Sequence, residues 1–102
     1  MVSKPELREA LCAILGTENV YFQPPASVLM QYPCIRYSLS APDLKRANNR
    51  IYKNTKKYEV IVIDYEPDSP IPDAILEQFE YASIDRRYAA DNLNHTVLTL
   101  YY

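Results

Sequence analysis

The stretch Lys56–Tyr65 contains the longest run of β-branched residues in the chain, with no glycine or proline before Pro67. Valine and isoleucine fill positions 60–63, and these residues lose little by extending and pack well on a pleated surface. Side chains alternate along a strand, so apolar residues fall on both faces: Tyr58, Val60 and Val62 on one, Ile61 and Ile63 on the other. The pattern predicts a central strand, with a helix over one face and a second cover, which could be another copy of the protein, over the other.

Two segments have the period of amphipathic helices. The first begins near Ser3, which can cap the helix, with Pro5 in the first turn and Glu6 placed to return the capping bond; it ends at Gly16, the only glycine. The second spans Ile71–Phe79 after a proline-rich break, and its buried face is predicted to carry Ile71, Ile75, Leu76 and Phe79.

Four further segments read as strands: Asn19–Gln23, Tyr32–Leu39, Tyr81–Tyr88 and His95–Tyr102, the last two joined by a turn over 89–94. The order α-β-β-β-α-β-β predicts a single α+β domain over residues 1–102, in which two helices cover a mostly antiparallel sheet of about five strands. Residues 40–57 have no sustained apolar period and are predicted to form a long polar loop or β-arm, with Asn48-Asn49 as a turn.

Charge is distributed unevenly along a chain whose net charge is only −2. Between residues 40 and 57 there are six cations, interleaved with Tyr52 and accompanied by one acid: Lys45, Arg46, Arg50, Lys53, Lys56 and Lys57. Between residues 59 and 80 there are seven acids and no lysine or arginine; the candidate acidic face comprises Asp64, Glu66, Asp68, Asp73 and Glu77. The two regions could complement each other between subunits, or they could be solvated surfaces that never meet.

Ten tyrosines and no tryptophan also favour contact surfaces, since tyrosine suits interfaces with one dry and one wet side. Cys12 and Cys34 lie in apolar contexts and are interpreted as small buried residues in a reducing compartment rather than as a disulfide pair. The apolar runs are too short for a membrane span and the N-terminus reads as a capped helix, so neither a signal peptide nor a membrane contact is expected.

Few residues suggest chemistry. His95 is the only histidine and is interpreted as structural, and Cys12 lies near the apolar face of a helix, a poor place for a thiolate. The acids Asp64, Glu66, Asp68 and Asp73 are interpreted as solvated, helix-capping residues, with a weak calcium site as the sharper alternative. Asp85, Arg86 and Arg87 form a candidate interface ion-pair group, or a catalytic arginine pair. No metal-ligand spacing, phosphate loop or dinucleotide motif is present, so we expect no cofactor.

Three stretches, with residues 58–69 between them, resemble small proteins of the head–tail (neck) module of long-tailed phages: Asn19–Pro25, Tyr32–Leu39 and Ala90–Val97. The resemblance covers nearly the whole chain, and its motifs are family-specific strings rather than catalytic signatures. The strand that begins Tyr32-Pro33-Cys34-Ile35-Arg36-Tyr37, with the order of elements, is similar to tail terminator (tail-completion) proteins.

The resemblance implies a non-enzymatic virion protein, assembled in the host cytoplasm, that caps the tail tube as a homohexameric ring and joins tail to head. Its implied partners are its own copies, the tail-tube protein, a head-closure or connector protein, and DNA that passes through the channel without sequence-specific binding. The residues of 45–57 would then contact a neighbouring subunit or line the channel. A head-closure or connector role in the same module is the nearest alternative.

Two other classes stay open from the residues alone. The cations of 45–57 would suit a small nucleic-acid-binding module, whose binding would weaken with salt. A small enzyme would have to use Cys12, His95 or the acids between Asp64 and Asp73, and the sequence offers no arrangement of these groups that satisfies the geometry of a catalytic site.

Overall fold

The computed structural model describes residues 4–25, 27–40 and 56–102. The elements follow the predicted order, with bounds that shift by at most two residues: α1 (Lys4–Leu15), β1 (Val20–Phe22), β2 (Cys34–Leu39), β3 (Lys57–Asp64), α2 (Ile71–Gln78), β4 (Ala82–Ala90) and β5 (Leu93–Tyr101). The prediction of an α+β fold with two helices and a five-stranded, mostly antiparallel sheet is confirmed. Neither helix among these residues is long and apolar enough to cross a membrane.

The strands lie in the order β1-β2-β3-β5-β4, so β3 is the central strand, as its sequence predicted. β1 runs parallel to β2, and every other neighbouring pair is antiparallel. β3 pairs along its full length with β5, from Lys57 opposite Tyr101 to Asp64 opposite Asn94. This register brings the acidic end of β3 beside the beginning of β5.

Local sequence explains where several elements end. Gly16 has a φ of +86°, and its N–H donates to the Cys12 carbonyl at 2.8 Å, which closes α1. The predicted turn over 89–94 is shorter in the structure: only Asp91 and Asn92 separate β4 from β5, both with positive φ. Aspartate and asparagine tolerate this left-handed conformation, which suits a two-residue hairpin turn, so both strands extend toward it. The predicted Ser3 cap and the Asn48-Asn49 turn lie outside the described residues.

One face of the sheet lies under both helices. The helices contribute the fully buried Leu7, Leu11 and Ile75, which pack with Val60 of the central strand and Leu98 of β5. The α2 face predicted from the sequence is confirmed, since Ile71, Ile75 and Phe79 are all buried. At about 25 cal/mol per Å² of apolar area removed from water, such side chains supply most of the stability of a small domain.

Within the described residues, the chain's own β1–β2 loop covers the opposite face near the Asp64 end of β3. Ile63 is buried there with Cys34 and Leu93, and Met30 and Tyr32 of the β1–β2 loop pack against them. The second cover of the central strand is therefore at least partly supplied by the same chain. Toward the other end of this face the side chains of Arg36 and Glu59 are exposed.

Candidate functional site

An acidic cleft opens where β3 ends and α2 begins, on the helix-covered side of the sheet. The cleft has a volume of about 200 Å³ and is lined by Val62, Asp64, Glu66, Pro67, Asp68, Ser69, Pro72, Asp73, Arg87, Asn94 and Thr96. Four carboxylates and one guanidinium give these lining residues a formal charge of −3. The structure thus brings together four of the five predicted acidic-face residues, whereas Glu77 is exposed on α2 and does not line the cleft.

Asp64 departs from the prediction of solvated, helix-capping acids. Its side chain is only 9 % exposed, and its Oδ1 accepts a hydrogen bond from the Glu66 N–H at 3.1 Å. The carboxylate therefore shapes the turn after β3 rather than capping α2, where the Ser69 Oγ instead accepts from the Ile71 N–H at 3.3 Å. Glu66, Asp68 and Asp73 are exposed, as expected. Asp73 lies in the first turn of α2, where a negative charge is favourable.

Two polar residues of β5 complete the cleft, and no sequence pattern connects them with the acids. Asn94 is paired directly with Asp64, and Thr96 is paired with Val62. Thr96 is only 9 % exposed. It lies on the same strand face as the buried Leu98 and Leu100 and is therefore a polar residue among apolar ones. That break in the apolar pattern was the sequence signal that could have marked Thr96 as a site residue. The residues that share the cleft with Thr96 could be identified only from the β3–β5 register.

The calcium site considered as an alternative for these acids finds no support. Among the described residues, which include all four acids of the cleft, no group of three or more histidine, cysteine, aspartate or glutamate side chains is arranged to hold a metal ion.

The basic segment, residues 45–57, lies mostly outside the described residues, including the candidates Lys45, Arg46, Arg50, Tyr52 and Lys53. Its last two residues and the strands on either side are described. The Ser40 N–H donates to the Lys57 carbonyl at 2.8 Å, and Lys56 exchanges two backbone hydrogen bonds of 3.0 Å with Tyr102. Residues 41–55 therefore connect two adjacent, paired strands at the end of β3 that is opposite the acidic cleft.

Asp85, Arg86 and Arg87 do not act as one group, because a β-bulge in β4 separates them. The register shifts between Ile84 and Arg86. Asp85, the extra residue, accepts a 2.6 Å hydrogen bond from the Thr99 hydroxyl. Arg87 is paired with Thr96 and lines the acidic cleft, whereas its neighbour Arg86 points to the opposite face.

The outer part of the second face carries an aromatic stack. The Tyr88 and His95 rings stack at a centroid distance of 4.6 Å with planes 11° apart, and the Arg86 guanidinium lies 5.8 Å from the centre of the Tyr88 ring. The His95 Nδ1 also lies 3.2 Å from the Leu93 carbonyl oxygen. These contacts agree with the interpretation of His95 as a structural residue.

The geometry does not support a catalytic pair of Cys12 and His95. Cys12 packs against the helix-side core, while His95 lies on the other face of the sheet, so the two cannot meet. Burial raises the pKa of the Cys34 thiol to about 11, although nearby Arg36 acts in the opposite direction. Neither cysteine forms a disulfide within the part of the chain that the structure describes, as predicted.

Comparison of the chain with models of protein families, with curated proteins and with solved structures finds no match in any of the three.

Proposed function

We propose that this chain is a structural subunit of a phage neck, of the tail-terminator type, that assembles head to tail with its own copies into a ring. The observation that carries the proposal is the placement of opposite charges at opposite ends of β3. Lys56 and Lys57 stand at its beginning, and the acidic cleft opens at Asp64, where it ends.

This placement favours contacts between copies over contacts within one copy. Seven residue steps at about 3.3 Å each separate Lys57 from Asp64 by about 23 Å along the strand. A salt bridge needs atoms within about 4 Å, so these lysines cannot pair with the cleft of their own copy. A head-to-tail contact between two copies would bring the two ends together, and head-to-tail contacts generate rings when the rotation closes.

The resemblance of residues 19–25, 32–39 and 90–97 to phage neck proteins supplies the class of assembly. In that class the ring caps the tail tube and meets the head connector. A subunit with separate basic and acidic surfaces suits such a ring, because each copy must present two different faces that match around the circle.

Sedimentation velocity across a range of protein concentrations tests the ring. We expect a hexamer that dissociates as salt increases, since screening weakens contacts between exposed charges. A chain that stays monomeric at high concentration, with and without added tail tubes, would overturn the proposal. A closed dimer would also overturn it. In negative-stain images of isolated tail tubes, we expect the protein at one end of the tube and not along its length.

Two charge-reversed variants make the test specific. One carries Lys53→Glu and Lys56→Glu, and the other carries Glu66→Lys and Asp68→Lys. Neither should assemble alone, because each reversed pair then faces residues of its own sign at the contact, whereas an equimolar mixture should assemble in rings with an even number of subunits. Glu9→Lys, an exposed change on α1 that does not line the cleft and lies outside the basic segment, is the control and should assemble normally.

A further inference from the structure

The acidic cleft contains a buried hydroxyl group that the fold itself does not use. Thr96 lines the cleft and is only 9 % exposed, and no described residue forms a hydrogen bond with its side chain. A buried hydroxyl without a partner costs stability, and a threonine could be replaced there by valine at little cost in shape. Its presence beside a buried carboxylate therefore indicates that something else in the cleft uses it.

Three hydrogen-bond acceptors converge on the cleft from two paired strands. Asp64 uses Oδ1 for the Glu66 N–H, which leaves the rest of its carboxylate available. The Asn94 Nδ2 donates to the Tyr65 carbonyl at 3.2 Å, and this donation leaves the amide oxygen of Asn94 as an acceptor. Thr96 lies two residues further along the same face as Asn94, which is itself directly opposite Asp64.

The charge and the acceptors together select the ligand. An alkylammonium group presents three N–H donors and no acceptor, and a guanidinium presents five donors. Either group matches a site that offers acceptors and has a formal charge of −3. A volume of about 200 Å³ corresponds to about six or seven water molecules at about 30 Å³ each, which is room for the end of one long side chain. We propose that the cleft binds a single organic cation, the ammonium or guanidinium group of a lysine or arginine side chain, through Asp64, Asn94 and Thr96.

Which molecule supplies that side chain is a separate question, and the answer rests on the proposed head-to-tail assembly. The basic segment of a neighbouring copy supplies cations of both kinds. Arg87 is the nearest competitor, because it lines the same cleft and is paired with Thr96 across the sheet. Removing its charge by Arg87→Gln should therefore tighten the binding of an added cation.

NMR titration of the full chain tests the site, with n-butylammonium and methylguanidinium as probes. We expect saturable shifts of the amide signals of Asp64, Asn94 and Thr96. Asp64→Asn keeps the oxygen that accepts from Glu66 but removes the charge, and it should weaken binding at least tenfold. Thr96→Val should weaken it about threefold to tenfold while leaving the midpoint of thermal unfolding unchanged or raised. Glu77→Gln removes a charge from α2 outside the cleft and should change affinity less than twofold.

Several outcomes would overturn the site: no saturable shift with either probe, equal weakening by Glu77→Gln and Asp64→Asn, or calcium ions binding in place of the organic cations. A lower unfolding midpoint in Thr96→Val would show that the hydroxyl serves the fold, and would also overturn the proposed site.

A synthetic peptide of residues 44–57 tests whether the basic segment supplies the bound side chain. If n-butylammonium binds but the peptide does not, the basic segment is excluded as the source. If both bind and the chain remains monomeric in sedimentation, the cleft stands and the ring fails.

Discussion

The face of the sheet that carries Val60 and Leu98 lies under two helices, whereas the face that carries Ile63 is covered, among the residues that the structure describes, by the β1–β2 loop near the Asp64 end of β3. On the first face Tyr37, Leu98 and Leu100 are no more than 1 % exposed. On the second face Ile61 remains partly exposed, and so does Met30 of the loop that packs there.

The two covers are also held in different ways. Each helix carries its own backbone hydrogen bonds and presents a continuous apolar stripe. The β1–β2 loop is held by isolated contacts, such as the Gln31 N–H donating to the Tyr21 hydroxyl at 3.1 Å and the edge-to-face packing of Tyr32 on Tyr65 at 6.4 Å. At its tip Leu29 is 92 % exposed. Local opening should therefore be easier on the loop side, because fewer buried contacts resist it.

The largest expected effect compares one residue from each face. Leu98 is fully buried and Ile63 is 3 % exposed, and truncation to alanine removes the same number of carbon atoms from each. We expect Leu98→Ala to lower the free energy of unfolding by about 4 kcal/mol, because the helices and sheet cannot close the cavity. Ile63→Ala should cost about 2 kcal/mol, because the loop can collapse into the space. Urea unfolding measures both, and equal losses would contradict the difference between the faces.

A smaller effect concerns the Cys34 thiol beneath the loop. Burial raises its pKa from 9.0 to about 11 in the folded chain. The unfolded chain releases the proton first, so the stabilisation is complete below about pH 9 and is lost as the pH rises toward 11. Between these values the free energy of unfolding of the wild type should fall more steeply than that of Cys34→Ala, by about 1 kcal/mol per pH unit.

The alanine variant also serves as the control for other groups that titrate there. Burial raises the pKa values of Tyr37 and Tyr58 too, and both tyrosines remain in the variant. Only the difference between the two slopes therefore reports on Cys34. If the free energies of unfolding of the two proteins fall in parallel between pH 9 and 11, the loop admits water to the thiol. The second face is then less well covered than the burial of Cys34 indicates.

Most of the fold could be predicted because long periodic patterns carry it. The alternation in β3 and the helical spacing in α2 identified the central strand and the buried helix face. The parallel pairing of β1 with β2 could not be read from the sequence, because a three-residue strand specifies no partner of its own. The bulge at Asp85 was also missed, because charged and exposed residues around it give no periodicity to interrupt.

The candidate site was predicted in part. The acids between Asp64 and Asp73 are close in the sequence, so their grouping was visible. Asn94 and Thr96 follow about thirty residues later and join them only through the β3–β5 register. Burial of Asp64 was missed for a related reason, since Asp64 is still part of β3 and is paired with Asn94 of β5 rather than lying in the solvated turn that follows.

The smallest expected effect lies on the second face toward the edge strand β4. Tyr88 stacks on His95 there and is 42 % exposed. Aromatic pairs contribute about 0.5–1.5 kcal/mol beyond the area they bury, and water around an exposed pair favours the lower value. A double-mutant cycle with Tyr88→Ala and His95→Ala should therefore give a coupling energy of about 0.5 kcal/mol in urea unfolding.

A matched cycle shows whether that coupling is specific to the stack. Thr99 lies on the same strand as His95, four residues further on, which is about 13 Å from it along β5. Tyr88→Ala and Thr99→Val should therefore be additive within about 0.3 kcal/mol. Coupling of equal size in both cycles would mean that the substitutions act through the edge strand β4 as a whole. This edge of the sheet would then be stabilised by its backbone pairing, and the contact between the Tyr88 and His95 rings would add nothing to it.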